Sequence, residues 1–432
     1  MKQRLITIVL TVLILVVPMA IMPSTEENYN LPKIIALLFL GVVLLILLLL
    51  NYKKINIDKK DILIFIFAVL ILISTIFSSQ IKTSIFGMKR RYEGMLSLYV
   101  YILIYLCAKK FLYYKNKKTL IIVLYCLYIP ICILAILQYY LKVPELYPIF
   151  NKGVCGTFGN TNFMGSFLTL GIPVFSILFI AKGYKTCFFA SNLVFFSLVT
   201  CLARSAWIAF IVLTFIILIY LIKQRNKKYL LRTIILLICF TLIFTFLFVP
   251  KKVTSKGKPI KTRVDKKIEA VKEEIKTVTT KGINEKTGSS RIQIWSISLD
   301  LILKHPIIGV GTDNLAYSIL REPSSKVIDY MQRTNHLIDK AHNEYFQIAA
   351  TLGIPALIVY LTFVCLILTD KQKQLFNNLG LLITCTSIVC YLIQAFFNIS
   401  IIGVAPLFWF ALGLTDNKMI LKKEETDIKE NK

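Results

Sequence analysis

The chain has 432 residues, 56% of them hydrophobic, and a formal net charge of +28. No soluble domain of this length is so apolar, and ten cysteines without a CxxC pair argue against a disulfide framework or a zinc site. The basic balance would suit nucleic acid, but most of the basic residues fall in short loops between apolar runs, where they report membrane topology.

Uncharged apolar runs of about 18 residues or more are long enough to cross a bilayer. They recur near 5–22, 31–50, 62–80, 95–113, 119–141, 162–181, 187–203, 205–222, 230–250, 343–369, 375–393 and 396–415. The reading is an all-α, polytopic membrane helix bundle of about twelve transmembrane helices. The stretch 187–222 reads either as two spans or as one broken span. Lys2 and Arg4 ahead of the first run resemble a signal sequence, yet no clean small-x-small site follows, so an uncleaved first helix is expected. With the N-terminus cytoplasmic, the inside segments hold 24 basic residues and the short outside loops hold 7. That bias predicts both termini inside. The expected divisions are 1–250 with nine spans, a large extracytoplasmic loop at 251–342, three spans over 343–415, and a cytoplasmic tail at 416–432.

The large loop predicts its own elements. Residues 251–261 are basic and read as flexible. An amphipathic helix follows, with Val264, Ile268, Val271, Ile275 and Val278 as its stripe. A linker is expected at 282–288. Ser289 or Ser290 can cap a helix running to Lys304, with Ile292, Trp295, Leu299 and Ile302 on one face. Pro306 ends it, Gly309 and Gly311 turn the chain, and a second short helix is expected near Asp313. The loop therefore reads as a small helical lid on the bundle.

The spans are nearly free of Asp, Glu, Lys, Arg and His, whereas ion-coupled transporters keep such residues near the midplane. Charge gathers instead at helix ends on the outer side, which suits an enzyme acting on an amphipathic substrate there. Four places stand out. KRRYEG at 89–94 puts three cations outside, either as interfacial anchors or as an anion site in which Arg90 and Arg91 grip phosphate and Glu93 orients one of them. GTFGNTNFMG at 156–165 brings Asn160 and Asn162 to a helix start, where a cap and tight turn would also explain them. Arg204, in LARSAW, is the sole charge between Lys185 and Lys223, and either snorkels or contacts phosphate. His342, beside Asn343, begins the tenth span; a helix N-terminus disfavours imidazolium and so favours a neutral base near pH 7. His305, before Pro306, reads as structural.

Together, Arg204 in ARSAW, Arg291 with Trp295, the HPIIGVG turn and His342-Asn343 resemble the O-antigen ligase family, which includes bacterial polysaccharide polymerases. The ligase pattern is His, then Asn, Ser or Gln, nine residues, then Gly-x-x-Gly/Thr/Tyr. Here nine residues separate Asn343 from Gly353, and Ala356 stands at the last position. The resemblance covers about 156–365. It implies glycan transfer from undecaprenyl diphosphate to an acceptor hydroxyl at the outer face of the cytoplasmic membrane. Arg204 and Arg291 would match the diphosphate-binding arginines and His342 the catalytic histidine. Arg90 and Arg91 extend that set, with Glu93, Asn343, Asn160, Asn162 and Trp295 in support.

Arginines would stabilise the departing diphosphate and His342 would deprotonate the acceptor, with inversion at the anomeric carbon. The absence of a DxD motif argues against a nucleotide-sugar enzyme, so no metal or other cofactor is expected. The partners expected are the lipid-linked donor, a glycan, lipid-glycan or protein acceptor, and membrane lipid, but no nucleic acid. An O-antigen ligase-like glycosyltransferase leads the readings, with the identity of the acceptor left open. A polysaccharide polymerase of O-antigen, capsular or teichuronic type and a protein O-oligosaccharyltransferase are the rival enzymes. A lipid-linked oligosaccharide flippase is the rival from another class.

Overall fold

The computed structural model describes residues 2–22, 27, 29–51, 56–113, 117–141, 153–248, 263–281 and 290–417. The expected flexible stretch at 251–261, the linker at 282–288, Ser289 and the tail beyond 417 lie outside the described residues. Among those described, the chain is all α with no strand. The first ten helices are α1 (Lys2–Met19), α2 (Asn30–Leu49), α3 (Lys59–Ile76), the short α4 (Ile81–Phe86), α5 (Met95–Phe111), α6 (Lys117–Tyr140), α7 (Thr161–Lys182), α8 (Lys185–Thr200), α9 (Arg204–Gln224) and α10 (Lys227–Phe248). Four helices then form a cap: α11 (Arg263–Lys281), α12 (Arg291–Lys304), α13 (Leu315–Arg321) and α14 (Ser325–Thr334). The bundle resumes with α15 (Glu344–Leu352), α16 (Ile354–Thr369), α17 (Leu379–Ala395) and α18 (Ala405–Asp416).

Among the described residues, six stretches are long and apolar enough to cross a membrane: α2, most of α6, α7, α9, most of α10, and Ile354–Gln374. Peripheral helices turn large apolar side chains outward, among them Phe39, Phe65, Phe215 and Ile222. Such a belt is unfavourable against water and suits lipid. α7 runs through the middle, packed on α8, α9 and α17. Its glycines let neighbours approach closely: a Cβ on Gly165 would lie 2.8 Å from the Ala203 Cβ, and one on Gly171 would run into the Tyr128 ring.

Two predicted spans are interrupted. The run 343–369 breaks at Gly353, and the run 396–415 is helical only from Ala405. The stretch 187–222 forms two helices, α8 and α9, separated at 201–203. The predicted cap helix at 264–278 is α11, although Ile275 of its apolar stripe is 61% exposed. α12 ends at Lys304 as expected, but Ser290 is left-handed and makes no side-chain cap. The helix expected near Asp313 begins at Leu315, while α4 and α14 were not foreseen.

A buried ion network lies at the bundle end opposite the cap. Lys109 Nζ meets Asp58 and Asp61 at 2.8 Å and Asp416 at 2.9 Å, and Lys60 meets Asp416 at 2.6 Å. It ties the start of α3 to the ends of α5 and α18.

Candidate active site

The site is built around the break between α15 and α16. The Asn343 side chain caps α15, its Oδ1 accepting from the backbone N–H groups of Tyr345 at 2.9 Å and Phe346 at 3.1 Å. Gln347 reaches back, its Oε1 accepting from the Ala341 N–H at 2.9 Å. These bonds hold His342 at a φ of 50°, a left-handed conformation that histidine tolerates better than most residues. Nine residues later α15 stops at Gly353, whose φ is 91°.

The HPIIGVG turn docks on that stop. Val310 and Gly311 donate to the carbonyls of Ala350 and Thr351 at 3.0 and 2.9 Å, and Ile354 donates to Pro306 O at 2.8 Å. The last carbonyls of α15, which have no partner within the helix, are thereby satisfied. A Cβ at Gly353 would collide with the Ile307 carbonyl, so glycine is needed for φ and for space alike. The nine-residue spacing of the motif is thus the length of one short helix, capped at the histidine end and closed by the turn.

α12 packs along α15 and brings Arg291, its first residue, toward His342. Trp295 forms the joint, with its ring centroid 6.0 Å from Phe346 and 5.4 Å from Phe396. Arg204 is the first residue of α9 and is ion-paired with Glu274 of α11. Arg291 is held below the usual guanidinium range, first by burial and then by the charge of Arg204. His342 is pushed down to about 3, first by burial, then by Lys340 and Arg291, with Arg91 adding and Asp339 opposing. Its Nδ1 is buried and has no hydrogen-bond partner among the described residues.

The other sequence-derived candidates fall in different surroundings. Arg90 is exposed. Arg91 forms a tie: its NH2 meets Asp313 Oδ1 at 3.1 Å and its NH1 donates to the Asp339 carbonyl at 2.9 Å. The carboxylate that orients Arg91 is therefore Asp313, not Glu93. Asp313 Oδ2 also accepts from the Met88 N–H at 2.7 Å, fastening the KRRYEG loop to the GVGTDN turn. Sequence inspection missed Asp313 because the two segments lie more than 200 residues apart. Glu93 accepts from the Tyr101 hydroxyl at 3.0 Å. It lines a small cavity of about 50 Å³ together with Arg91, Asp313, Glu344 and Ser400. Burial and then the Glu344 carboxylate push Glu93 up to about 8.

Asn160 caps α7, accepting from the Asn162 N–H at 2.8 Å, and the Asn162 carbonyl accepts from Gln394 at 3.2 Å. This is the cap-and-turn alternative. Next to it, Lys340 lies 5.6 Å from the Phe163 ring centroid, which brings the start of α7 to the same end as His342.

Fold and site together point to an integral membrane protein in which Arg204, Arg291 and His342 stand at helix starts near the cap helices. Residues 189–361 match the family model described as O-antigen ligase, and this supports assigning the chain to the O-antigen ligase family. The matched segment contains Arg204, Arg291 and His342. A comparison with curated proteins finds no match.

Proposed function

We propose that the chain is a glycosyltransferase that moves a glycan from undecaprenyl diphosphate to an acceptor hydroxyl at the extracytoplasmic face of the cytoplasmic membrane. The observation that carries this is a chain of neighbouring charges: Arg204, first in α9, acts on Arg291, first in α12, and Arg291 in turn acts on His342 at the entrance to α15, where burial and these cations favour the neutral imidazole. Such arginines suit a diphosphate, whose oxygens match the guanidinium fork and whose charge grows as the glycosidic bond breaks. A neutral imidazole suits removal of the acceptor proton. In the reaction the acceptor oxygen bonds to the anomeric carbon and its proton passes to His342. The bond to undecaprenyl diphosphate breaks on the opposite face, so configuration inverts.

In this reading the chain crosses the membrane about twelve times with both termini cytoplasmic, as the basic-residue bias supports. The cap, 251–342, then lies outside, between nine preceding and three following spans. The reaction needs neither metal nor other cofactor. A lipid-linked repeat as acceptor would make the enzyme a polymerase. Ala356 at the last motif position, where ligases carry Gly, Thr or Tyr, keeps that version in view.

The test is transfer in proteoliposomes from an undecaprenyl-diphosphate-linked glycan, with lipid A core, a second lipid-linked repeat and a peptide offered separately. Arg204→Ala and Arg291→Ala should abolish transfer while expression and membrane insertion persist. Lysine should restore it only in part, because it lacks the planar fork. Full activity in either alanine variant removes that arginine from the site.

A further inference from the structure

The inward face of α11 is not purely apolar. Val264 is fully buried and Lys267, Ile268, Val271 and Glu274 are part-buried, whereas Glu269, Glu273 and Ile275 face out. Steps of three and four residues align Lys267, Val271 and Glu274 on one side of the helix. A helix that merely rests on a bundle turns its charges to solvent. This one turns a lysine and a glutamate toward the bundle, where α9 and α12 begin.

Glu274 is ion-paired with Arg204. Lys267 feels the positive charge of both Arg204 and Arg291, and Glu274 offsets it; the same carboxylate offsets Arg204 at Arg291. Glu274 thus pairs with Arg204 and lies within electrostatic reach of Lys267 and Arg291. The Arg204 and Glu274 side chains are 30% and 24% exposed. An ion pair that open to water is held weakly and is readily exchanged for another anion. The network around Lys109, with side chains 3–8% exposed at Lys109, Asp61 and Asp416, is of the opposite kind.

We propose that the inward face of α11 belongs to the donor's diphosphate seat: Lys267 is a third cation of the seat, and Glu274 holds Arg204 until the diphosphate displaces it. This rests on the reading of Arg204 and Arg291 as diphosphate ligands. A diphosphate carries more charge and more acceptor oxygens than one carboxylate, so it satisfies the three cations better than Glu274 does. Glu274 in turn offsets the repulsion between the arginines when no donor is present, and it disfavours anions with fewer acceptor oxygens, such as a monophosphate, that compete with it less well. The cap then acts in donor selection as well as in shielding the site.

The experiment is binding of undecaprenyl diphosphate, and separately of undecaprenyl monophosphate, to the full-length protein in detergent by isothermal titration. Glu274→Gln should lower the Kd for the diphosphate about two- to five-fold, the size expected of losing a part-exposed competing ion pair. Its effect on the monophosphate should be larger, since discrimination is lost. Lys267→Met should raise the diphosphate Kd by about the same factor. In an Arg204→Ala background the Glu274→Gln gain should disappear. Glu274→Ala must act in the same direction as Glu274→Gln, so one poorly folded variant does not decide the matter. Wild-type binding by Arg204→Ala would remove the parent reading. Weakened binding by Arg204→Ala, with Glu274→Gln and Lys267→Met at wild-type affinity, would overturn this inference alone.

Discussion

His342 offers the most quantitative prediction. An ordinary imidazole titrates near 6.5, and here the group is held at about 3. The difference is more than three orders of magnitude in proton affinity. At pH 5 an ordinary histidine is about 97% protonated, whereas His342 should be largely neutral. Because kcat/KM reports the free enzyme, its acid limb should stay flat down to about pH 4. The limb in kcat reports the donor complex. A diphosphate beside Arg291 neutralises one of the cations that depress His342, so the kcat limb should lie at higher pH than the kcat/KM limb. Lys340→Met should raise the free-enzyme value only in part, since burial is the larger cause. The assay is single-turnover and steady-state transfer between pH 4 and 8, with proteoliposome integrity checked at each pH. Two coincident acid limbs near pH 6.5 would refute the reasoning. The stability sign follows from the same numbers. The folded value lies below the unfolded one, so the unfolded chain takes the proton first, and this contribution to stability is lost as pH falls from about 6.5 toward 3.

Breaking the Arg91–Asp313 tie should be costly because one buried charge is left without its partner. Asp313→Ala should destabilise by about 3–5 kcal/mol, read as the thermal unfolding midpoint in detergent, and the Arg91→Ala, Asp313→Ala double variant should lose less than the sum. Asp313→Asn should be milder than Asp313→Ala, because asparagine accepts the φ of 58° at this position. At the opposite end, Lys109→Met should destabilise by less than Asp313→Ala, since Asp58, Asp61 and Asp416 lose their shared cation but Asp61 keeps Lys110 and Asp416 keeps Lys60. Transfer kinetics of the folded fraction should be unchanged, and a rate loss without a stability loss would show that the network serves catalysis instead.

The helices were legible because hydropathy reports length and apolarity directly. Arg204 was legible because it stands alone in an otherwise uncharged run, whereas Arg291 and His342, which have charged neighbours in the chain, were legible only through the motif they resemble. What the sequence hid has a common cause. Asp313 holding Arg91, Glu274 facing Arg204, and Lys109 among Asp58, Asp61 and Asp416 are pairings between segments distant in the chain. No periodicity encodes them. Hydropathy also ran through the break at Gly353, because Leu352, Gly353 and Ile354 read as one apolar stretch. Only the docked HPIIGVG turn, bonded to Ala350 and Thr351, explains why the helix stops there. Lys33 is a further case: it lies at the start of an apolar run, yet it is fully buried, its Nζ donating to the Ala20 carbonyl at 2.5 Å.

The central claim is that His342 removes the acceptor proton while the arginines hold the donor. The most direct measurement is single-turnover transfer by His342→Ala, with donor affinity measured on the same preparation. The rate should fall by about 10²–10⁴-fold, the usual size of a general base, with the Kd for undecaprenyl diphosphate close to that of the wild type. Weak donor binding by His342→Ala with normal turnover of the bound fraction would contradict the account and make His342 a binding residue.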